Sequence, residues 1–322
     1  MASPYVSIQP PYPLIWRSWK EGLVVPFLGA GASFVGRPAG VAFDGDHPAF
    51  LPSGWDLSCS LAEESGFPAK EDWEKADLAK VCSYYVAMAG RRRLRQRLRK
   101  MLVAEFQPGP LHRLLAAIPI PQVIVVTNYD TLVEQAFEEA NRPYDLVVYP
   151  ADRKDIANSI LWWPHGSPEP EIAIPNDLDI DLSTTTVIYK MHGTVSPASE
   201  KWDNFVITEE DYVEFLSRMT TNSAVPSLFY PYFRDRSFLF LGYSLRDWNL
   251  RVVLNNLSRH LASRSGGNME EQDEAPKSWS IQLHPSELET RLWTKKNVNI
   301  FDVSLNEFTA RIRKELQKET GG

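Results

Sequence analysis

Short, densely apolar runs punctuate this chain and alternate with segments whose apolar residues recur at helical spacing. The candidate strands are Leu23–Leu28, Gln122–Val126, Asp145–Tyr149, Val187–Lys190, Phe238–Leu241, Trp279–Leu283 and Asn297–Phe301. Short apolar runs bounded by turn residues fit strands buried on both faces. The intervening helices carry their own start signals. Leu132, Val133, Ala136 and Phe137 share one face of a helix predicted over Asp130–Ala140. Thr208 with Asp211 forms a capping box, and Asp247, Ser286 and Ser304 stand where further helices begin. Strand and helix in alternation specify the α/β class, a mainly parallel sheet with helices on both faces.

Two stretches break that alternation. Residues 55–118 are helical in period, which predicts a helical module inserted after the first strand. Residues 151–185 are rich in Pro, Asp and Trp and predict an irregular excursion that includes a hairpin. The polar segment Ser263–Lys277 is expected to be a surface loop. The expected organisation is one domain over residues 1–322.

Composition narrows the function classes. A chain of 322 residues, 43% hydrophobic and 23% charged, has the profile of a globular protein. With 41 acids against 34 bases the net charge is −7, so direct nucleic-acid binding is not expected. The N-terminal residues lack a basic segment followed by an apolar stretch of signal-peptide length. The longest apolar runs, near VIVV and FLFL, fall far short of the ~18 residues a membrane span needs. A cytoplasmic location without membrane association is therefore expected, and reduced thiols at Cys59 and Cys82 fit it.

Four strand ends carry chemistry. In LVVPFLGAGAS, Gly29, Ala30, Gly31, Ala32 and Ser33 follow an apolar run. Glycines there allow close backbone approach, and free N–H groups bind an anionic phosphate. A strand-to-helix turn needs small residues in any case, and the spacing is not that of the G-x-G-x-x-G dehydrogenase fingerprint. In QVIVVTNYD, Thr127, Asn128, Tyr129 and Asp130 emerge where open α/β sheets gather ligands. Asp130 is equally suited to cap the next helix. In TTTVIYKMHGTV, His192 and Gly193 end a β-branched run, whereas His165 lies in a proline-flanked loop and is the weaker candidate. In SFLFLGYSLRD, Gly242, Tyr243 and Ser244 form a turn that suits either a ligand or a helix cap.

The ordered series GAGAS, TNYD, HG and GYSLRD resembles the sirtuin-like domain family, and looks closest to its bacterial branch associated with anti-phage defence. The likeness runs from about Leu23 to Asn256, and WSIQL and NVNIFDV resemble that branch's closing strands. LPSGWDLSCSLAEESG resembles the helix start after the family's phosphate loop, with Trp55 in place, although an extra loop at about Phe34–Pro52 intervenes. Two departures are clear: Thr127 stands where zinc-dependent members carry glutamine, and the Pro-Asp-Phe-Arg loop is not recognisable.

The resemblance implies a Rossmann-like fold that takes oxidised NAD as substrate and cleaves its nicotinamide–ribose bond. It implies that Gly29, Ala30, Gly31, Ala32 and Ser33 line the pyrophosphate. Asn128 and Asp130, beside Thr127, match the family's N-x-D pair at the nicotinamide end. His192 matches the catalytic histidine, and Gly242, Tyr243 and Ser244 match the turn on the adenosine side. Asn128, His192 and Asp130 are thus the expected catalytic residues. Two cysteines without a C-x-x-C cannot build the structural zinc site of the deacylases, so no metal is expected. The expected activity is NAD hydrolysis to nicotinamide and ADP-ribose, depleting NAD as an abortive-infection effector in anti-phage defence. A sensor that binds NAD or an ADP-ribose derivative without turnover, or an NAD-dependent deacylase, are the alternatives. Family members are held silent as oligomers or by a partner encoded nearby, which implies a homo-oligomer or a partner such as a HerA-family ATPase or a short Argonaute.

Residues Arg91–Lys100 stand apart. They hold six arginines and a lysine without an acid, and Leu94, Leu98 and Leu102 form a narrow apolar stripe. Such a helix either pairs with the chain's own acids or presents a docking face, for protein in preference to nucleic acid.

Overall fold

Leu28, Val126, Lys190 and Leu241 end four strands in register, so the residues after them emerge side by side along one edge of a sheet. The computed structural model describes residues 9–34, 37, 41–151, 153–156, 158–220, 224–243 and 277–320. Its strands are β1 (Val24–Leu28), β2 (Val123–Val126), β3 (Asp145–Val148), β4 (Ile160–Trp163), β5 (Glu171–Ala173), β6 (Val187–Lys190), β7 (Gly193–Thr194), β8 (Asn204–Phe205), β9 (Ser237–Leu241), β10 (Ser278–Gln282) and β11 (Val298–Asp302). Each apolar run in the sequence became a strand, with ends that differ by at most a residue or so.

The main sheet has the order β11-β10-β9-β1-β2-β6-β3-β4-β5. It is parallel from β11 to β3, and β4 and β5 join antiparallel at one end. β7 and β8 make a separate two-stranded ribbon. β1 lies between β2 and β9: the chain builds the sheet first on the β2 side and later on the β9 side, and a crevice opens at the carboxyl ends where the order reverses.

Alternate residues of each buried strand feed two cores. Val25, Phe27, Val123, Val125 and Tyr189 enter one core, which α7 (Glu209–Thr220) and α8 (Phe229–Arg234) cover with Phe215, Phe229 and Phe233. Val24, Leu28, Ile124, Val126 and Ile188 enter the other. That face is covered by α1 (Tyr12–Lys20), α5 (Pro110–Ala117), α6 (Leu132–Glu139) and the last helix, α10 (Leu305–Thr320). Near-continuous apolar strands are what a sheet covered on both faces requires.

A third core lies beyond the carboxyl edge of the sheet. α2 (Gly54–Ser65), α3 (Leu78–Ala89) and α4 (Arg91–Leu102) contribute Leu57, Leu61, Val81, Cys82, Leu94 and Leu98, which pack with Leu132, Phe205 and Ile207. α5, although continuous in sequence with these helices, packs with α6 and α10 against the sheet. Local chemistry sets the helix ends. Ser53 and Asp56 form a capping box at α2, where Gly66 closes the helix with left-handed φ. Thr208 and Asp211 do the same for α7, and Ser286 and Glu289 for α9 (Glu287–Thr294). The helix expected after Asp247 and the loop expected at Ser263–Lys277 lie outside the described residues, save Lys277 itself.

No helix of the described residues is long and apolar enough to cross a membrane.

Candidate active site

At the carboxyl edge of the sheet a cavity of about 300 Å³ is lined by residues from all four strand-end motifs. From the first come Ala30 and Ser33, from the second Thr127 to Asp130, from the third Met191 and His192, and from the last Gly242 and Tyr243. Its far wall is apolar and comes from the helices beyond the sheet: Leu57 of α2, Leu78 of α3 and Leu102 of α4. Ser244 lies outside the described residues.

The turn after β1 winds into a 3-10 helix over Ala30–Phe34. Three amides of this turn are engaged within the protein, which differs for them from the expectation of free N–H groups. Gly29 N–H donates to Leu241 O at 3.0 Å, Gly31 N–H to Gly242 O at 2.9 Å and Ala32 N–H to Gly29 O at 2.9 Å. The glycines serve this packing first. Gly242 has φ +73°, and a Cβ there would sit 2.3 Å from Ala32 N. The loop therefore presents side-chain oxygen, at Ser33, more than bare backbone amide.

Ser33 is the hinge of a polar relay. Asn128 Nδ2 donates to Ser33 Oγ at 2.7 Å and to Gly29 O at 3.0 Å, and Ser33 Oγ donates to Asp130 Oδ2 at 2.6 Å. The other oxygen of Asp130, Oδ1, accepts Leu132 N–H at 3.1 Å. Asp130 thus lines the cavity while its Oδ1 holds the first amide of α6, one residue before the N-cap Thr131. Thr127 Oγ1 and Tyr243 hydroxyl are hydrogen-bonded, and the Tyr243 ring packs over Gly29, where a Cβ would come within 2.7 Å of it.

His192 is buried, and its ring stands edge-on to Tyr212 and Phe215, at centroid distances of 5.5 and 5.4 Å. Its Nε2 has no hydrogen-bond partner among the described residues. Burial without a compensating charge lowers its pKa to about 4, so the imidazole is neutral at pH 7. His165, in contrast, is exposed beyond β4, where its N–H donates to Asp145 Oδ1.

Lys190 was not singled out in the sequence and is central here. It is fully buried, its Nζ donates to the backbone carbonyl of Asp130, and it lies 3.3 Å from Glu134 Oε1. Burial raises the Glu134 pKa, against the pull of the lysine. A lysine ending a β-branched apolar run was the available signal, because a charge in a strand buried on both faces needs a buried partner.

The basic helix α4 is largely satisfied within the molecule. Arg91 pairs with Asp211 at 2.7 Å, Arg99 with Asp203 at 2.9 Å and Lys100 with Asp46 at 2.9 Å, while Arg97 pairs with Glu64 and Asp46. Pairing with the chain's own acids is therefore what these four bases do. Leu94, Leu98 and Leu102 face the third core.

Cys82 is buried on α3 and Cys59 half-buried on α2. Among the described residues no group of three or more His, Cys, Asp or Glu is placed to hold a metal ion.

A second cavity of about 540 Å³ adjoins the first across Gly242 and Tyr243. It lies beyond β10 and β11, lined by Gly31, Gln282, His284, Glu289 and Ser304 among others.

The chain is similar to several bacterial proteins. "NAD(+) hydrolase ThsA" of Acinetobacter baumannii (strain 532279) is 28% identical over 195 residues, 58% of this chain and 32% of that protein. The protein of the same name from Cytobacillus dafuensis is 27% identical over 211 residues, 65% of this chain and 36% of that protein. "Defense-associated sirtuin 2" of Bacillus subtilis is 20% identical over 294 residues, 90% of this chain and 24% of that protein. The chain thus spans between a quarter and a little over a third of the length of these relatives. The SIR2-like domain model matches residues 122–301, more than half of the chain. The chain belongs to the SIR2-like domain family.

Proposed function

We propose that this chain hydrolyses the nicotinamide–ribose bond of NAD, releasing nicotinamide and ADP-ribose. The observation that carries this reading is the buried, neutral His192, whose Nε2 lacks a protein partner, lining the same cavity as the Asn128–Ser33–Asp130 relay. Cleavage develops positive charge on the ribose while nicotinamide departs neutral, so the site must orient groups and place dipoles. His192 is the general base toward water or a ribose hydroxyl, a role worth about 10²–10⁴ in rate. Asn128, its Nδ2 engaged by Ser33 and Gly29, keeps its Oδ1 to position the water or the ribose hydroxyls. Asp130 stabilises the developing charge and orients the carboxamide.

The rest of the dinucleotide spans the two cavities. Gly29 to Ser33 lie along the pyrophosphate, with Thr127 beside them, and Gly242 and Tyr243 form the passage toward the adenosine side, where the larger cavity lies; Ser244, next in sequence, is assigned to the same end of the ligand. The chain acts as one NAD-binding domain, with helices α2–α4 of the inserted segment closing the nicotinamide end and the excursion at about 151–185 at the far edge of the sheet. Relatives named for NAD(+) hydrolysis and for defence support the reading that this chain depletes NAD in anti-phage defence. Homo-oligomerisation or a partner, of the HerA-ATPase or short-Argonaute kind, then controls activity.

Purified protein incubated with NAD tests this, with products separated by chromatography. Free nicotinamide is expected from the wild type and not from Asn128→Ala or His192→Ala. Nicotinamide release that persists in both variants overturns the assignment. Saturable NAD binding by the wild type without release places the chain among sensors instead.

A further inference from the structure

Of the seven bases in the arginine-rich segment, Arg91 bonds to both elements that flank His192. Its Nη1 lies 2.7 Å from Asp211 Oδ2, and its Nη2 donates to Phe205 O at 2.6 Å. The two acceptors belong to the two elements that enclose His192. Phe205 ends the ribbon β7–β8, and the next residue, Val206, donates its N–H to His192 O at 2.9 Å. Asp211 Oδ2 also accepts the N–H groups of Ile207 and Thr208, at 3.0 and 2.8 Å, which closes the first turn of α7. The next residue on that helix, Tyr212, and Phe215 one turn on carry the rings that hold the imidazole edge-on. One guanidinium on α4 thus ties together the strand behind His192 and the helix in front of it.

We propose that Arg91 is a positioning residue for the reaction assigned above: by bridging the β7–β8 ribbon and α7, it sets the orientation of the His192 ring in the cavity. The inference rests on His192 being the base of that reaction. It gives the basic helix an internal task that pairing for stability alone does not require. A planar guanidinium presents two nitrogens in one rigid fork to acceptors on separate elements, whereas an ammonium is a point charge whose three donors rotate and fix no such geometry. Arg99 supports the same ribbon from further along the helix, bonding Asp203 and the carbonyl of Ser196.

The test compares Arg91→Met and Arg91→Lys with Arg92→Gln, an exposed base on the same helix. Three readouts are followed in the full chain: kcat and KM for NAD, thermal unfolding, and the His192 imidazole resonances in nitrogen-15 NMR. Arg91→Met is expected to lower kcat by about 10²-fold, the usual consequence of a base misplaced by roughly 1 Å, with KM changed less than about threefold. The imidazole resonances are expected to shift in Arg91→Met, to shift partly in Arg91→Lys, and to stay in place in Arg92→Gln. If Arg91→Met does not fold, Arg91→Lys decides. Folded Arg91 variants with wild-type kcat and unmoved imidazole resonances overturn the proposal. A purely stabilising role is read from a lowered unfolding temperature with kcat and resonances unchanged, and overturns it as well. Should the wild type release no nicotinamide, the reaction assignment fails alone, and the resonances still decide whether Arg91 orients His192.

Discussion

Ser33 and Asp130, 97 positions apart in sequence, are joined by a 2.6 Å hydrogen bond from the serine hydroxyl to Oδ2 of the carboxylate. Because Asn128 donates to the same Ser33 oxygen, one hydroxyl orients both polar residues of the N-x-D pair. Ser33→Ala removes that hinge. It is expected to cost about 1.5–3 kcal/mol, the range for a hydrogen bond to a charged group. Turnover of NAD is expected to fall further than stability alone explains. Urea unfolding and steady-state kinetics on the same preparation check both parts.

Burial of His192 makes stability depend on pH with a definite sign. Its pKa falls from the ordinary 6.5 to about 4 on folding, so the unfolded state binds more protons in between. The stability it contributes is complete above about pH 6.5 and is lost as pH falls toward 4, by up to about 3 kcal/mol. His112, buried on α5 with Nδ1 accepting Gly109 N–H, is also lowered to about 4 by burial and acts in the same direction. Urea unfolding at pH 7 and pH 4.5 is expected to show a smaller loss in His192→Gln than in the wild type. The acid limb of activity is expected nearer pH 4 than 6.5.

The pair Lys190–Glu134 is buried at both ends. Removing one member leaves the other charge without its partner, so Lys190→Met is expected to destabilise by about 3–5 kcal/mol. Lys190→Met combined with Glu134→Leu is expected to recover most of that loss, since apolar replacement of a whole buried pair is often neutral. A double-mutant cycle by chemical denaturation measures the coupling.

Glycines with the same backbone sign differ in what surrounds them. Gly90 and Gly242 have φ of +85° and +73°, but a Cβ at Gly90 meets nothing within 4 Å, while one at Gly242 collides with the Ala32 amide. Gly90→Ala is expected to cost about 1 kcal/mol from backbone strain alone, and Gly242→Ala markedly more. Gly242→Ala is also expected to weaken NAD binding, because the turn it distorts separates the two cavities. Calorimetric unfolding and NAD titration of the two variants distinguish these effects.

Much of the architecture was legible because it is written in short-range chemistry. Apolar runs of strand length, the Thr208–Asp211 and Ser286–Glu289 boxes and the leucine stripe of α4 are local patterns, and each appears in the structure where its residues stand. Chemistry at distance was not legible in the same way. The engaged amides of Gly29 and Gly31 depend on the carbonyls of Leu241 and Gly242, more than two hundred residues on, which no local pattern contains. The placement of α5 with the sheet and not with α2–α4 depends on which apolar faces remain to be covered.

By itself, then, the sequence determined which segments are strands and helices, and that polar residues follow particular strands, because side-chain period and capping act within a few residues. Tertiary structure decided the register that brings Leu28, Val126, Lys190 and Leu241 level, and so gathers four motifs around one cavity. It also decided the fate of the charges. Whether Arg91 meets solvent, a partner or Asp211, and whether Lys190 finds Glu134, depends on burial and on a neighbour delivered from elsewhere in the chain. A charge is governed by the dielectric and the counter-charge around it, and folding supplies both.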